Sequence, residues 1–275
     1  MNQLLSLLLS LLARMKAFVI RDLQLAISYR LAFFLRVLTI LIVVTIAYYV
    51  SRIFLGKGEV FANWRDPLAA WITGLAVLNY FMTNFSSLAN AIRSEQLQGT
   101  LESVLMTPIS VPGLIVASST LDFIEATLYS SLYLVFGAVF FGVTYEGSYF
   151  LAFLILILTT MVFASLGILS ASFAMVFKKG DPVAVLLGTG TAVFSGVFFP
   201  PQLLPEAMQK ISKILPATYG LQAIRGVLID NNGLNEARGP IITLLMFLAV
   251  LLPSSLWIFS RAVRRAKREG SLIQY

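Results

Sequence analysis

The chain has 275 residues, 58% of them hydrophobic and only 12% charged, with a net charge of +7 and neither cysteine nor histidine. Soluble domains are about a quarter charged, so this composition excludes an ordinary water-soluble fold, and the missing residue types exclude disulfide staples, thiol catalysis and the usual zinc ligands. A bilayer accepts such a chain, because each run of about 20 apolar residues crosses its ~30 Å hydrocarbon layer as one helix. The basic residues cluster beside the apolar runs, which points to headgroup contact and topology control and not to nucleic acid.

Residues 1–13 carry a Leu-rich stretch from Leu4 to Leu12, followed, not preceded, by Arg14 and Lys16. That order departs from a cleaved signal peptide, and the stretch is expected to be retained and membrane-associated. Residues 14–30 follow as an amphipathic helix. Val19, Ile20, Leu23 and Ile27 share one face and Arg14, Arg21 and Ser28 the opposite one, as in a helix lying along the interface. A second apolar line, Phe18, Leu25 and Tyr29, runs beside the polar face. It either dips into lipid or forms a docking ridge for a cytoplasmic partner.

Six stretches are predicted to span: 31–54, 68–90, 112–142, 150–177, 183–199 and 240–260. The fifth is short and is stopped by Pro200-Pro201. Twelve Lys and Arg, among them Arg93, Lys178, Lys179 and the group from Arg261 to Arg268, fall on one side. Seven, including Arg52, Lys57, Lys213 and Arg225, fall on the other. The positive-inside rule then puts both termini and residues 91–111 in the cytoplasm and residues 56–67 and 200–239 outside. Between the fifth and sixth spans, Ala207–Leu215 and Tyr219–Ile229 read as two short helices broken at Pro216. They are expected to dip back into the outer membrane face, where broken backbone is tolerated only against protein or water.

The expected fold class is therefore an all-α membrane protein of one domain, residues 1–275. It comprises a cytoplasmic or interfacial helix over 1–30, a six-helix membrane part over 31–261 and a basic cytoplasmic tail over 262–275.

Motifs for covalent chemistry are missing. There is no G-x-x-x-x-G-K-[ST] phosphate loop, since Gly56-Lys57-Gly58 lacks both the upstream glycine and the following hydroxyl residue. No histidine can serve a hydrolase triad, and the thirteen acids form no carboxylate cluster for a metal. The most informative stretch runs from Arg93 to Pro108. Gly99 can interrupt one helix and Thr100 can cap the next, leaving a short cytoplasm-facing helix with Leu101, Val104 and Leu105 available on one side. Within the third span, Asp122 and Glu125 lie one turn apart and share a face. Intramembrane charges are rare and paired or functional, so they form either a structural group with Arg36 or a proton relay. The relay would make the chain a proton-coupled secondary transporter. On the fifth span Ala184, Gly188, Ala192 and Gly196 recur every fourth residue, a pattern of close helix approach. The contact is either within the subunit or at a seam between two subunits.

The run Glu95-x-x-x-Gly99-Thr100-Leu101-Glu102, followed by Thr107-Pro108, resembles a motif of the type-2 family of ATP-binding-cassette exporter permeases. So does Ser195-Gly-Val-Phe-Phe-Pro200, followed by Leu204-Pro205, Leu215-Pro216, Tyr219 and Arg225. The resemblance covers essentially the whole chain. It implies a second permease subunit, often an identical copy, and two cytoplasmic ATPase subunits that carry ATP and Mg2+, with no cofactor on this chain. It also implies that the first helix (Phe18, Leu25, Tyr29) and the helix after the second span (Glu95, Gly99, Thr100, Leu101, Glu102, Leu105) contact the ATPases. The short helices would cap the pathway outside. Ser28-Tyr29-Arg30-Leu31-Ala32-Phe33 departs from the sequence that opens the sugar-polymer branch, so the resemblance points to drugs, lipids or other amphiphiles leaving through a prokaryotic inner membrane.

Overall fold

The computed structural model describes residues 30–55, 66–99, 111–177 and 182–269. The expected amphipathic helix, including Phe18, Leu25 and Tyr29, lies outside them, as do Thr100, Leu101, Glu102 and Leu105. Eight α-helices appear among the described residues: α1 (Arg30–Leu55), α2 (Pro67–Leu97), α3 (Val111–Phe141), α4 (Tyr149–Phe177), α5 (Pro182–Phe194), α6 (Glu206–Ile214), α7 (Pro216–Leu228) and α8 (Leu234–Glu269). A single 3-10 turn, Pro201–Leu203, stands between α5 and α6. Five of the helices, α1 to α4 and α8, are long and apolar enough to cross a membrane. The protein is an all-α, multi-pass membrane protein.

The fifth expected span differs from the rest. A helix of 13 residues rises only about 20 Å, short of the ~30 Å hydrocarbon layer. Beyond Phe194 the backbone leaves the helix and runs irregularly to Pro200. The last span is conversely longer than expected, because α8 continues to Glu269 with Pro240 and Pro253 inside it. At Pro216 the chain breaks as predicted, but the proline itself opens α7, where its missing N–H costs nothing.

The α2 helix is the axis of the bundle, packed between α3 and α4, with α8 on the far side of α4. Its start is well specified. Asp66 Oδ1 accepts from the N–H groups of Leu68 and Ala69 at 2.9 and 3.1 Å, and Pro67 follows at the first helical position, the pairing of an N-cap with a pre-set φ. Membrane helices associate through close packing and interhelical hydrogen bonds, and both occur here. Phe81 and Phe163 stack with ring centroids 4.3 Å apart. Ser130 Oγ donates to the Ala76 carbonyl at 2.8 Å, and Gly167 leaves room for the Phe85 carbonyl that no Cβ could share. Two buried apolar clusters result. A large one at one end includes Tyr80, Phe81 and Leu244, and a smaller one at the other includes Ile92, Met175 and Phe259. By contrast α1 is mostly uncovered.

Candidate functional site

Where α5 stops, its last carbonyls lose their helical partners, as at every helix C-terminus. Ser195 donates from both its backbone N and its Oγ to the Thr191 carbonyl. Gly196 then takes φ of 90°, a conformation that side chains resist, and so turns its own carbonyl and that of Val197 aside. The guanidinium of Arg225, from α7, collects them. Nη1 donates to Gly196 O at 2.7 Å and Nη2 to Val197 O at 2.9 Å. Nε and Nη2 also donate to Ala70 O, in the first turn of α2, at 3.0 and 2.7 Å. One planar fork thus joins the broken span, the short-helix hairpin and the central helix. A Cβ on Gly74 would stand 2.6 Å from Arg225 Nη2, so the absence of a side chain there makes the space.

Burial lowers the Arg225 pKa to about 9, partly opposed by the carboxylate of Asp230. That still leaves a cation at neutral pH. Four hydrogen bonds to carbonyl oxygens and the negative end of α5 offset the cost of taking the charge out of water. The hairpin has its own fastenings. Thr218 Oγ1 donates to Ser212 O at 2.8 Å and Tyr219 OH to Lys213 O at 2.8 Å. The 142–148 connection clamps it from the side, with Gly147 N donating to Leu228 O at 3.2 Å. Burial also pushes the Tyr145 phenol upward.

Away from this site, Arg36 Nη1 lies 3.5 Å from Glu125 Oε2 and its guanidinium carbon stands 4.1 Å from the centre of the Tyr129 ring. The pair is partly open, at 42% and 31% side-chain exposure. Asp122 is half-buried one turn earlier on α3. On the Glu95–Gly99 motif, Glu95 sits in the last turn of α2. Gly99 follows the helix end at φ of 70°, exposed and with open space around it, as an interruption requires.

The small-residue stripe needs correction as a single helix face. Gly196 lies beyond the end of α5, because the broken backbone turns there. Gly188 points at Met82 of its own chain, whose Sδ is 3.2 Å from where a Cβ would be. Ala184 belongs to the same helix and Ala192 is partly buried. The uncovered side of α5 carries Val185, Leu186 and Val193 instead, with Leu186 at 74% exposure.

The ABC-2 type transporter family model matches residues 9–229. The chain belongs to that family. Relatives named inner membrane transport permease YadH, from Escherichia coli K12 and from Shigella flexneri, are each 22% identical over 196 residues, which covers 71% of this chain and 74% of theirs. Membership in the ABC-2 family makes the chain a transmembrane subunit of an ABC transporter, and it implies association with an ATP-binding-cassette ATPase.

The sequence drew attention to the Ser195–Pro200 run and to Arg225, but not to their contact. The readable signals were an arginine inside a short helix and a glycine four residues before a proline pair. Neither names Ala70 as the third partner.

Proposed function

We propose that this chain is the membrane-spanning half of an ATP-driven exporter that moves an amphiphile, such as a drug, a lipid or a lipid-linked molecule, out of the cytoplasm. Two cytoplasmic ATPase subunits bind ATP and Mg2+, while this chain holds no ATPase site or cofactor of its own. A second permease subunit, a copy of this chain, completes the pathway. The complex sits in the inner membrane of a prokaryote with both termini of the permease in the cytoplasm. The family match across residues 9–229 is the observation that carries this reading.

The geometry supplies a physical route for coupling. The 31 residues of α2 form a rod of about 46 Å. At one end are Glu95 and Gly99, beside the segment expected to meet the ATPase. At the other, the Ala70 carbonyl holds Arg225 and through it the α6–α7 hairpin. A push on the far end of α2 therefore reaches the hairpin without passing through a flexible link. The hairpin is the outer cap of the pathway in this reading. The test is ATP hydrolysis by the assembled complex in liposomes: stimulation by an amphiphile supports the reading, and transport driven by a proton gradient without ATP contradicts it.

A further inference from the structure

The segment from Ser195 to Leu204 has two unlike sides. On one, Phe198, Phe199, Leu203 and Leu204 face Val50 of α1 and Trp71 of α2 across a groove of about 610 Å3. On the other, Ser195, Gln202, Gln209, Lys213 and Asp230 line a cavity of about 460 Å3 beneath the hairpin. A strip of chain outside the α-helices thus separates an apolar space from a polar one at the same end of the bundle.

We propose that this strip is an amphiphile-binding site, with one hydrocarbon chain in the groove and a head without net charge in the polar cavity. The inference rests on the exporter reading above for the direction of travel, but not for the binding itself. A helix of a second copy is the competing occupant of the groove, and the crosslinking arm of the test below reads it. A piece of irregular backbone fits poorly. It would bring N–H and C=O groups that need partners, and nine of the ten residues lining the groove are wholly hydrocarbon, Trp71 being the exception. A hydrocarbon chain has no such groups.

The polar side decides which amphiphile is held. Hydrocarbon already in a bilayer gains no hydrophobic drive by entering an apolar groove, so packing and the head must provide selectivity. The cavity offers side-chain amides and hydroxyls, with Lys213 and Asp230 of opposite sign. The guanidinium of Arg225 is spent on three carbonyls. A hydrogen-bonding head without net charge matches this set, whereas a cationic head meets Lys213 and Arg225.

The full-length chain in nanodiscs tests this without ATP or ATPase. Trp64 and Trp257 are replaced by Phe, so that Trp71 in the groove is the one fluorophore. The probe is an alkyl maltoside with a twelve-carbon brominated chain, and the control is the same chain on a trimethylammonium head. Contact quenching of Trp71 should saturate with the maltoside and need about tenfold more of the cationic probe. Gln202→Leu should raise the half-saturation point of the maltoside about tenfold, and Val43→Phe should abolish saturation by filling the groove. Should Val43→Phe fail to fold, Leu203→Asp, on an exposed part of the wall, takes its place with the same expected loss. Quenching that rises linearly with probe, as from bulk lipid, overturns the proposal. So does protection of Trp71 together with disulfide crosslinking of Leu203→Cys between two copies, which would put a second chain in the groove. Loss of ATP-driven transport with saturable quenching intact would strike the exporter reading alone.

Discussion

Arg225 donates twice to a single carbonyl, that of Ala70, which precedes it by 155 residues. The contact fastens the short-helix hairpin to the central helix and uses the same guanidinium that receives the orphan carbonyls of α5. A planar fork suits this task. Its N–H groups diverge at fixed angles, and an ammonium cannot reproduce that arrangement.

Replacing Arg225 with Met should therefore destabilise the protein by about 3 kcal/mol or more, since each buried polar group left unpaired costs about 1–3 kcal/mol. Arg225→Lys should fall between wild type and Met, because it keeps the charge but not the fork. Thermal unfolding of the purified chain in detergent reads both. Between pH 6 and 8 neither the wild-type latch nor its stability contribution should titrate, because a pKa of about 9 keeps the group charged throughout.

Gly74→Ala examines the same latch from the other side. The new Cβ would press on Arg225 Nη2 and on the Val197 carbonyl, 2.9 Å away, so the guanidinium must shift. In a double-mutant cycle Gly74→Ala should cost clearly less when Arg225 is already Met, as expected for residues in contact. Strictly additive losses in melting temperature would mean that Gly74 acts elsewhere.

The Arg36–Glu125 pair makes a different forecast. Arg36→Gln alone should lower the melting temperature more than the triple change that also converts Asp122 to Asn and Glu125 to Gln. Breaking one side of a pair within a membrane-spanning helix strands the other charge, whereas removing all of them is nearly neutral. An ordering the other way round would argue that the carboxylates are held for another purpose.

If α5 takes part in a seam between permease copies, its uncovered side should be the one that meets the partner. Cysteine at Val193 or Leu186 should then form crosslinked dimers under mild oxidation. Cysteine at Gly188, turned toward Met82, should not. The chain has no native cysteine, so the background is clean.

Much of this architecture was legible from residue order. Three of the long helices, α1, α3 and α4, match the apolar runs to within a residue at each end, because bilayer thickness leaves little choice of length, while α2 and α8 extend beyond theirs. Pro200-Pro201 announced that the fifth span would stop early, and Pro216 marked the hairpin break. Two things were not legible. Helix periodicity gave no sign that Gly196 would leave the α5 face, since a glycine suits a helix stripe and a turn equally well by composition. Nor could spacing show that Ala70, Gly74 and Arg225 converge, because that depends on how α7 settles against α2. At Gly188 the neighbour is Met82 of the same chain, one of the two contacts that the stripe left open. Glu95 and Gly99 are where the sequence put them, while Leu101 and its neighbours lie outside the described residues.

The central claim is that ATP hydrolysed by a separate subunit moves an amphiphile through this chain, and transport in proteoliposomes tests it most directly. The chain would be reconstituted with its ABC ATPase partner, and ATP-dependent movement of a fluorescent amphiphile would be followed together with phosphate release. The account predicts transport that stops when the ATPase loses its phosphate-loop lysine. It also predicts that Leu101→Asp uncouples hydrolysis from transport, by setting an unpaired charge in an apolar contact, while leaving insertion and melting temperature intact. Movement of the amphiphile by this chain alone under a proton gradient, or wild-type coupling in Leu101→Asp, would contradict it.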